Sequence, residues 1–121
     1  MKNHSPGFLK VVDDAKSRIK EADVSETMEA VKAGRGALID VREESEYARG
    51  HVKGAEHIGK GILERDIEEL HPDHAEPLYL YCGGGYRSAL SADMLEKMGY
   101  KNVYSVAGGW RAFQAEGVET E

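Results

Sequence analysis

Three short runs of strand-forming residues, widely separated along the chain, place the strongest limit on how this sequence can fold. They cover residues 37–41, 78–81 and 102–106, and residues 22–24 and 55–58 have the character of shorter strands. The run at 37–41 is apolar apart from Asp40, which is typical of a strand that is covered on both faces. The connections between the runs are too long for hairpins. The pattern therefore predicts a three-layer α/β domain, in which helices flank a mostly parallel central sheet.

Helical segments with recognisable ends fill these connections. Ser5 followed by Pro6 is typical of a helix start, and Ser25 is expected to cap a second helix that ends at Gly34. A further helix is predicted over residues 88–98. Four apolar side chains are expected to form its buried face: Leu90, Met94, Leu95 and Met98.

Residues 1–21 are predicted to form an amphipathic helical extension, followed by a domain over residues 22–121. The extension carries apolar residues at spacings of one, three and four, namely Phe8, Leu9, Val12, Ala15 and Ile19. Such a stripe usually faces the core of the protein, so we expect the helix to pack on the domain. A helix that binds a partner protein is the alternative.

Composition limits the functions that fit this chain. It has 121 residues, of which 31% are charged, and a formal net charge of −6. An acidic balance gives no support to binding of nucleic acid or of an anionic membrane. The apolar runs are far shorter than the roughly 20 residues that span a bilayer, and residues 1–6 lack the apolar stretch of a signal peptide. We therefore expect neither nucleic acid nor a membrane as a partner.

The single cysteine, Cys82, lies where the run at 78–81 gives way to a helix. One cysteine cannot form an internal disulfide, which fits the expectation of a cytoplasmic location. The residues that follow it are Gly83, Gly84, Gly85, Tyr86, Arg87 and Ser88. Three glycines leave a concavity open and tolerate the backbone angles that let successive N–H groups converge on one anion.

Two features of this loop favour a reactive thiol. A cation and a helix N-terminus both lower the pKa of a cysteine, and Arg87 and the following helix supply them. Ligands of parallel sheets also bind at the carboxyl ends of the strands, where Cys82 lies. We predict that Cys82 is a nucleophile and that residues 83–88 bind its anionic substrate or product. The alternative is a glycine-rich turn with an incidental, buried cysteine.

The loop and its flanking segments together resemble the rhodanese-like sulfurtransferases. The loop sequence is similar to that family's active-site loop. The segment 38–42 with Glu43, Glu46 and Tyr47 is similar to its first signature, and segments 50–58 and 106–110 are similar to later ones. The resemblance covers about residues 24–115, in the order and spacing of a single-domain thiosulfate sulfurtransferase.

This resemblance implies a fold and a mechanism. The fold is the rhodanese-like three-layer domain. Cys82 attacks the outer sulfur of a donor such as thiosulfate and becomes a persulfide, whose terminal sulfur the N–H groups of residues 83–88 hold. Cyanide or a thiol then accepts the sulfur, and no metal or organic cofactor is needed.

Four neighbouring residues are expected to support the loop or to border it. Asp40 and Arg42 follow the run at 37–41, so they either shape the pocket or form an ion pair that fixes the loop below it, and we favour the ion pair. Tyr86 is expected to project from the loop tip and to select the donor or acceptor. Trp110 is expected in the core or at the rim of the site.

The histidines give no strong signal of a site. His51 and His57 have charged neighbours and are expected in an exposed connection. His71 and His74 are taken as part of a solvated turn, because no cysteine or carboxylate cluster accompanies them with the spacing of a zinc site.

Two other functions use similar residues. A cysteine phosphatase or arsenate reductase also surrounds a cysteine with an anion-binding loop. The related phosphatases, however, have five residues between Cys and Arg where this chain has four, and a His where it has Tyr81. The other alternative is a non-enzymatic sulfur-relay or interaction module, whose Cys82 receives sulfur from one protein and passes it to another molecule.

Overall fold

Strands and helices alternate along residues 4–121, which the computed structural model describes. The strands are β1 (Lys20–Ala22), β2 (Ala37–Asp40), β3 (Glu56–His57), β4 (Leu78–Tyr81) and β5 (Val103–Val106). The helices are α1 (Pro6–Lys16), α2 (Val24–Lys32), α3 (Glu44–Arg49), α4 (Lys60–Leu70), α5 (Tyr86–Lys97) and α6 (Gly109–Ala115). The α/β architecture predicted from the sequence is confirmed.

The sheet brings the ends of three strands together at one edge. Its order is β1-β5-β4-β2-β3, and each of these four pairings is parallel. β4 lies between β2 and β5, so the segments that follow these three strands are neighbours at the carboxyl edge. Cys82 directly follows the central strand of the five.

Each face of the sheet supports its own core. Residues of β4 alternate between the two sides, with Leu78 and Leu80 on one and Tyr79 and Tyr81 on the other. The first core is completed by side chains from α4 and α5, chiefly Leu63, Ile67, Ala92 and Leu95. The second is completed by α2 and α6, chiefly Val24, Met28 and Phe113. Helices therefore cover the sheet on both faces, which gives the three layers.

The N-terminal helix lies against α5. Val12 and Ala15 are buried, and α1 and α5 are in contact. Just beyond α1, the Arg18 guanidinium donates to both carboxylate oxygens of Asp93, at 3.0 and 2.8 Å. The division into an extension (1–21) and a domain (22–121) stays a prediction, and residues 1–3 of the extension lie outside the described part.

Two helix starts differ from the predictions. Asp23 rather than Ser25 caps α2, because its carboxylate accepts from the Glu26 N–H while the Glu26 carboxylate accepts from the Asp23 N–H. Residues 22–24 are consequently not a strand, since β1 ends at Ala22. α5 begins at Tyr86 instead of residue 88.

The buried face of α5 also differs from the predicted one. It is built mainly from small residues: Ser88, Ala89, Ser91, Ala92, Asp93 and Leu95. Of the four predicted residues only Leu95 is buried, and Met94 is exposed. Helix α5 lies between α1 and the sheet, and small side chains allow both to approach closely.

The histidines are more enclosed than the sequence predicts. The Tyr47 ring is stacked between those of His51 and His57, at 3.7 and 4.7 Å. His71 lies between the carboxylates of Glu56 and Glu76, at 2.7 and 2.9 Å. Burial alone would lower the pKa of His71, but these two carboxylates raise it above its ordinary value.

Residues 4–121 contain neither a metal-binding cluster nor a membrane-spanning helix. No cluster of three or more His, Cys, Asp or Glu side chains is placed to hold a metal ion. Within the same residues, no helix has the length and apolar character needed to cross a bilayer.

Candidate active site

Cys82 lies at the bottom of a loop that turns from β4 into α5. The residue is only 1% exposed. Residues 83–85 make the turn, and Gly85 adopts a φ of 99°, in the left-handed region that strongly favours glycine. The first turn of α5 follows at once, and the free N–H of Ser88 in that turn donates to the sulfur.

Three hydrogen bonds converge on the sulfur of Cys82. The N–H groups of Gly85 and Ser88 donate to Sγ at 3.2 and 3.3 Å, and the Ser88 hydroxyl lies 3.5 Å from it. Burial would raise the pKa of the thiol, but hydrogen bonds from the Ser88 side chain and from the backbone of residues 84, 85 and 88 outweigh it and lower this pKa. The loop therefore stabilises a thiolate in a place that water hardly reaches.

A second hydroxyl supports Ser88 from the neighbouring strand. The oxygens of Ser88 and Ser105 are 2.8 Å apart, and both residues are completely buried. Ser105 belongs to β5, which pairs with β4. The two hydroxyls form a short chain that ends at Cys82 Sγ, and such chains strengthen their own hydrogen bonds in a buried setting.

The guanidinium of Arg87 is held beside the loop by Glu46 rather than by the sulfur. Its Nη1 and Nη2 donate to the two carboxylate oxygens of Glu46 at 2.7 and 3.1 Å. The hydrogen bond from Arg87 is the main reason that the pKa of Glu46 falls from 4.5 to about 2. The pair anchors α3 to the start of α5 at one wall of the site.

Asp40 and Arg42 form the buried ion pair that the sequence analysis favoured. The Arg42 Nη2 donates to Asp40 Oδ2 at 2.8 Å and to the backbone oxygen of Gly50 at 2.7 Å. The guanidinium also lies 4.7 Å from the centre of the Trp110 ring. Because Arg42 lines the cavity above Cys82 as well, it both fixes the loop after β2 and shapes the pocket.

Helix α6 closes the site from the side of β5. The N–H groups of Trp110 and Arg111 donate to the backbone oxygens of Cys82 and Gly83, at 2.7 and 3.2 Å. Gly109 has a φ of 52°, and a Cβ at this position would overlap the Cys82 carbonyl. Glycine is therefore required for this close approach of the two chain segments.

A cavity of about 620 Å³ opens above the sulfur. The predicted residues that line it are Arg42, Cys82, Gly83, Gly84, Tyr86, Arg87 and Trp110. Four lining residues were not predicted as part of the site: His4, Phe8, Glu46 and Arg111. Glu46 stands in a signature segment and Arg111 follows the Gly-Gly-Trp motif, whereas nothing in the sequence links His4 and Phe8 to the loop. Gly85, Ser88 and Asp40 lie behind the cavity wall, within or below the loop.

Tyr86 does not project freely from the loop tip. Its ring lies 4.5 Å from that of His4 and 6.2 Å from that of Phe8, and the Lys16 Nζ is 5.1 Å from its centre. The N-terminal helix therefore contacts the active-site loop through Tyr86 and supplies one wall of the cavity.

The fold and the site together define a class of protein: a parallel α/β domain with a cysteine in an anion-binding loop at its carboxyl edge. The rhodanese-like domain family matches residues 15–116, which is most of the chain. The chain belongs to this family.

Individual relatives agree with this assignment. YqhL of Bacillus subtilis, an uncharacterised protein, is 38% identical over 70% of this chain and 68% of its own length. The thiosulfate sulfurtransferase GlpE of Coxiella burnetii is 31% identical over 79% of this chain and 88% of its own. A solved structure from Rhodopseudomonas palustris, described as a protein of unknown function and possible tyrosine phosphatase, has a TM-score of 0.85 and 27% identity, covering 100% of this chain and 98% of that one. YrkF of Bacillus subtilis, described as a putative sulfur carrier protein, is 36% identical over 61% of this chain and 39% of its own length. Family and relatives together support a role in sulfur transfer, as a sulfurtransferase or in sulfur relay.

Proposed function

We propose that the protein is a thiosulfate-type sulfurtransferase and that Cys82 carries the sulfur as a persulfide. The observation that carries this proposal is the convergence of loop donors on Sγ itself, at 3.2 and 3.3 Å. A nucleophile needs its anion stabilised before it can react at neutral pH. The similarity to GlpE supports thiosulfate as the donor.

The first half of the proposed reaction charges the cysteine. The Cys82 thiolate forms a bond to the outer sulfur of thiosulfate, and the sulfur–sulfur bond of thiosulfate breaks. The electron pair of that bond leaves with sulfite, so the three negative charges present before the step are also present after it. Arg42, Arg87 and Arg111 are the guanidinium groups that line the cavity, and their positive charge attracts the dianionic donor.

The second half of the proposed reaction removes the sulfur from Cys82. A nucleophilic acceptor, cyanide or a thiolate, forms a bond to the terminal sulfur. The bond between that sulfur and Cys82 Sγ then breaks, and its electron pair restores the thiolate. Because the chain has a single cysteine, the sulfur must leave to another molecule. The same chemistry serves a small-molecule acceptor or a protein that takes part in sulfur relay, and for either we propose a cytoplasmic setting, where thiols stay reduced.

A phosphatase is the second candidate, because of the description given to the Rhodopseudomonas palustris structure. Three observations favour sulfur transfer over it. The loop has four residues between Cys82 and Arg87, its N–H groups point at Sγ, and the Arg87 fork is engaged by Glu46. Phosphate transfer requires donors around the oxygens of a phosphoryl group rather than around the sulfur alone.

The test combines turnover with a direct measurement of the added sulfur. Wild type should form thiocyanate from thiosulfate and cyanide, and its intact mass should rise by one sulfur atom after thiosulfate alone. Cys82→Ser should do neither, whereas Met94→Ala, altered at an exposed position of α5, should behave as wild type. Absence of both signals in wild type would contradict the proposal. Hydrolysis of 4-nitrophenyl phosphate that Cys82→Ser abolishes would instead support the phosphatase.

A further inference from the structure

The cavity above Cys82 is much larger than the sulfur donor and the assay acceptor need. Its volume of about 620 Å³ lies within the range of about 300–1,000 Å³ that is typical of sites for organic ligands. Thiosulfate and cyanide have only a few heavy atoms each. The remaining space is bounded by particular side chains, so its chemistry can be derived from them.

One side of this space is apolar and aromatic. Phe8 lies on the N-terminal helix and is half-buried against the loop. Its ring lies 5.3 Å from that of His4 and 6.2 Å from that of Tyr86. Trp110 lines the cavity as well. We call Phe8 and Tyr86, whose rings lie against each other, the aromatic wall. Rings held against one another in this way offer apolar surface to an organic group at low cost in side-chain entropy.

The rest of the lining carries positive charge, and one of its cations is not neutralised. Arg42 is paired with Asp40, and Arg87 is paired with Glu46. Arg111 is exposed, and within residues 4–121 its guanidinium takes part in no ion pair within 4.0 Å. It lies close to the loop, because a Cβ built at Gly84 would be 3.9 Å from the Arg111 Nη1. The protein is acidic overall, so this cation is a local feature of the cavity mouth.

We propose that the acceptor of the sulfur is a small-molecule thiol that has an aromatic or similarly bulky apolar body and a negatively charged group, and that Phe8 and Arg111 select it. This inference rests on the proposed function. The aromatic wall takes the body, Arg111 pairs with the charge, and the thiolate faces Cys82. The thiolate forms a bond to the terminal sulfur of the persulfide, the bond from that sulfur to Sγ breaks, and the acceptor leaves as a persulfide. The electron pair of the broken bond stays on Cys82.

Four alkyl thiols of similar intrinsic reactivity test this selection. They are 4-(mercaptomethyl)benzoate, which has both features, phenylmethanethiol, which has only the ring, 3-mercaptopropionate, which has only the charge, and 2-mercaptoethanol, which has neither. The protein is first charged with thiosulfate, the excess is removed, and loss of the added sulfur is followed by intact mass. The first thiol should discharge it at least about tenfold faster than 2-mercaptoethanol at equal concentration, since burial of an aromatic ring alone supplies a factor of that size.

Two variants, each with a matched control, assign the selection to the named residues. Phe8→Ala should lower the preference for ring-bearing over ring-free thiols by about tenfold. Arg111→Gln should lower the preference for charged over neutral thiols by about threefold, as expected for a solvent-exposed ion pair. The controls are Val11→Ala, on the same helix as Phe8, and Arg35→Gln, just before the start of β2. Both residues are exposed and outside the cavity, so both preferences should stay unchanged.

A binding measurement separates failure of this inference from failure of the proposed function. Trp110 is the only tryptophan of the chain and it lines the cavity, so its fluorescence should respond to 4-methylbenzoate, an unreactive analogue, more strongly than to propionate. Equal rates for the four thiols together with no fluorescence response would overturn the inference while leaving sulfur transfer intact. A fluorescence response in a protein that never gains sulfur would overturn the proposed function, and with it the assignment of this ligand as a sulfur acceptor.

Discussion

The hydroxyl pair behind Cys82 leads to a prediction that separates reactivity from stability. Ser88→Ala removes the hydroxyl that lies 3.5 Å from Sγ but keeps the Ser88 N–H that donates to it. The same change leaves the Ser105 hydroxyl, completely buried and bonded to Ser88 at 2.8 Å, without that partner. Ser105→Ala also removes the contact between the two hydroxyls, but it leaves the Ser88 hydroxyl in place beside the sulfur.

The magnitude of the stability effect follows from the buried hydroxyl. Leaving one buried polar group unsatisfied costs about 1–3 kcal/mol, whereas removing both partners together is close to neutral. Ser88→Ala should therefore unfold about 4–12 °C below wild type, at roughly 4 °C for each kcal/mol in a domain of this size. The double variant Ser88→Ala/Ser105→Ala should recover most of this loss.

The effect on reactivity should not recover in the same way. The Ser88 hydroxyl is the largest of the contributions that lower the pKa of Cys82. Ser88→Ala and the double variant should both alkylate with iodoacetamide along a pH profile displaced to higher pH, and Ser105→Ala should stay closer to wild type. Thermal unfolding and alkylation profiles of the four proteins supply the test. A double variant as unstable as Ser88→Ala, or an unmoved profile in Ser88→Ala, would refute the reasoning.

Three other predictions concern the stability of the fold. Glu46→Gln should lower the free energy of unfolding at pH 7 by about 1–2 kcal/mol after allowance for solvent screening. Because the pKa of Glu46 is lowered from 4.5 to about 2, this difference in urea denaturation should shrink as the pH falls below about 4.5. His71→Gln should lower the free energy of unfolding most below about pH 6.5. The pKa of His71 is raised in the folded protein, so the contribution of this residue to stability is lost as the pH rises through the folded-state pKa. A difference in free energy of unfolding between wild type and variant that grows with pH would contradict this. Gly109→Ala should cost more than the roughly 1–3 kcal/mol of a left-handed backbone strain, since its Cβ overlaps the Cys82 carbonyl. Gly117→Ala, at a φ of 70° with open space around it, is the matched control, and equal losses in calorimetry would remove the argument from overlap.

The parts of the fold that the sequence predicts correctly are those with local signals. Residues 37–41, apart from Asp40, and residues 78–81 are apolar on consecutive positions, and they supply the adjacent strands β2 and β4. The start of α2 was mispredicted although its signal is local. Asp23 and Glu26 have the spacing of a capping box, and Ser25 is an equally acceptable capping residue by type alone.

The errors at α5 and in the site have a non-local origin. Apolar size made Leu90 and Met94 the expected buried residues, but α5 is enclosed by α1 as well as by the sheet, and alanine and serine fit that space. Similarly, Arg87 meets a carboxylate 41 positions earlier in the chain. Phe8 and Tyr86, whose rings are neighbours, also lie far apart in the sequence. Pairings of this kind follow from the packing of elements, which sequence periodicity does not contain.

The N–H groups at the start of α5 explain how a cysteine as buried as Cys82 can carry a persulfide in the proposed mechanism. The four residues 85–88 begin the helix, so their N–H groups have no acceptor within it. Those of Gly85 and Ser88 donate to Sγ, which leaves those of Tyr86 and Arg87. A second sulfur bonded to Sγ would lie about 2 Å further out, towards the cavity and the first turn of the helix. In the proposed mechanism the inner sulfur keeps the donors already engaged, and the outer sulfur acquires the other two together with access to the acceptor. In this mechanism the buried position of Sγ protects the cysteine from solvent without preventing transfer, because the transferred atom would be the outer sulfur.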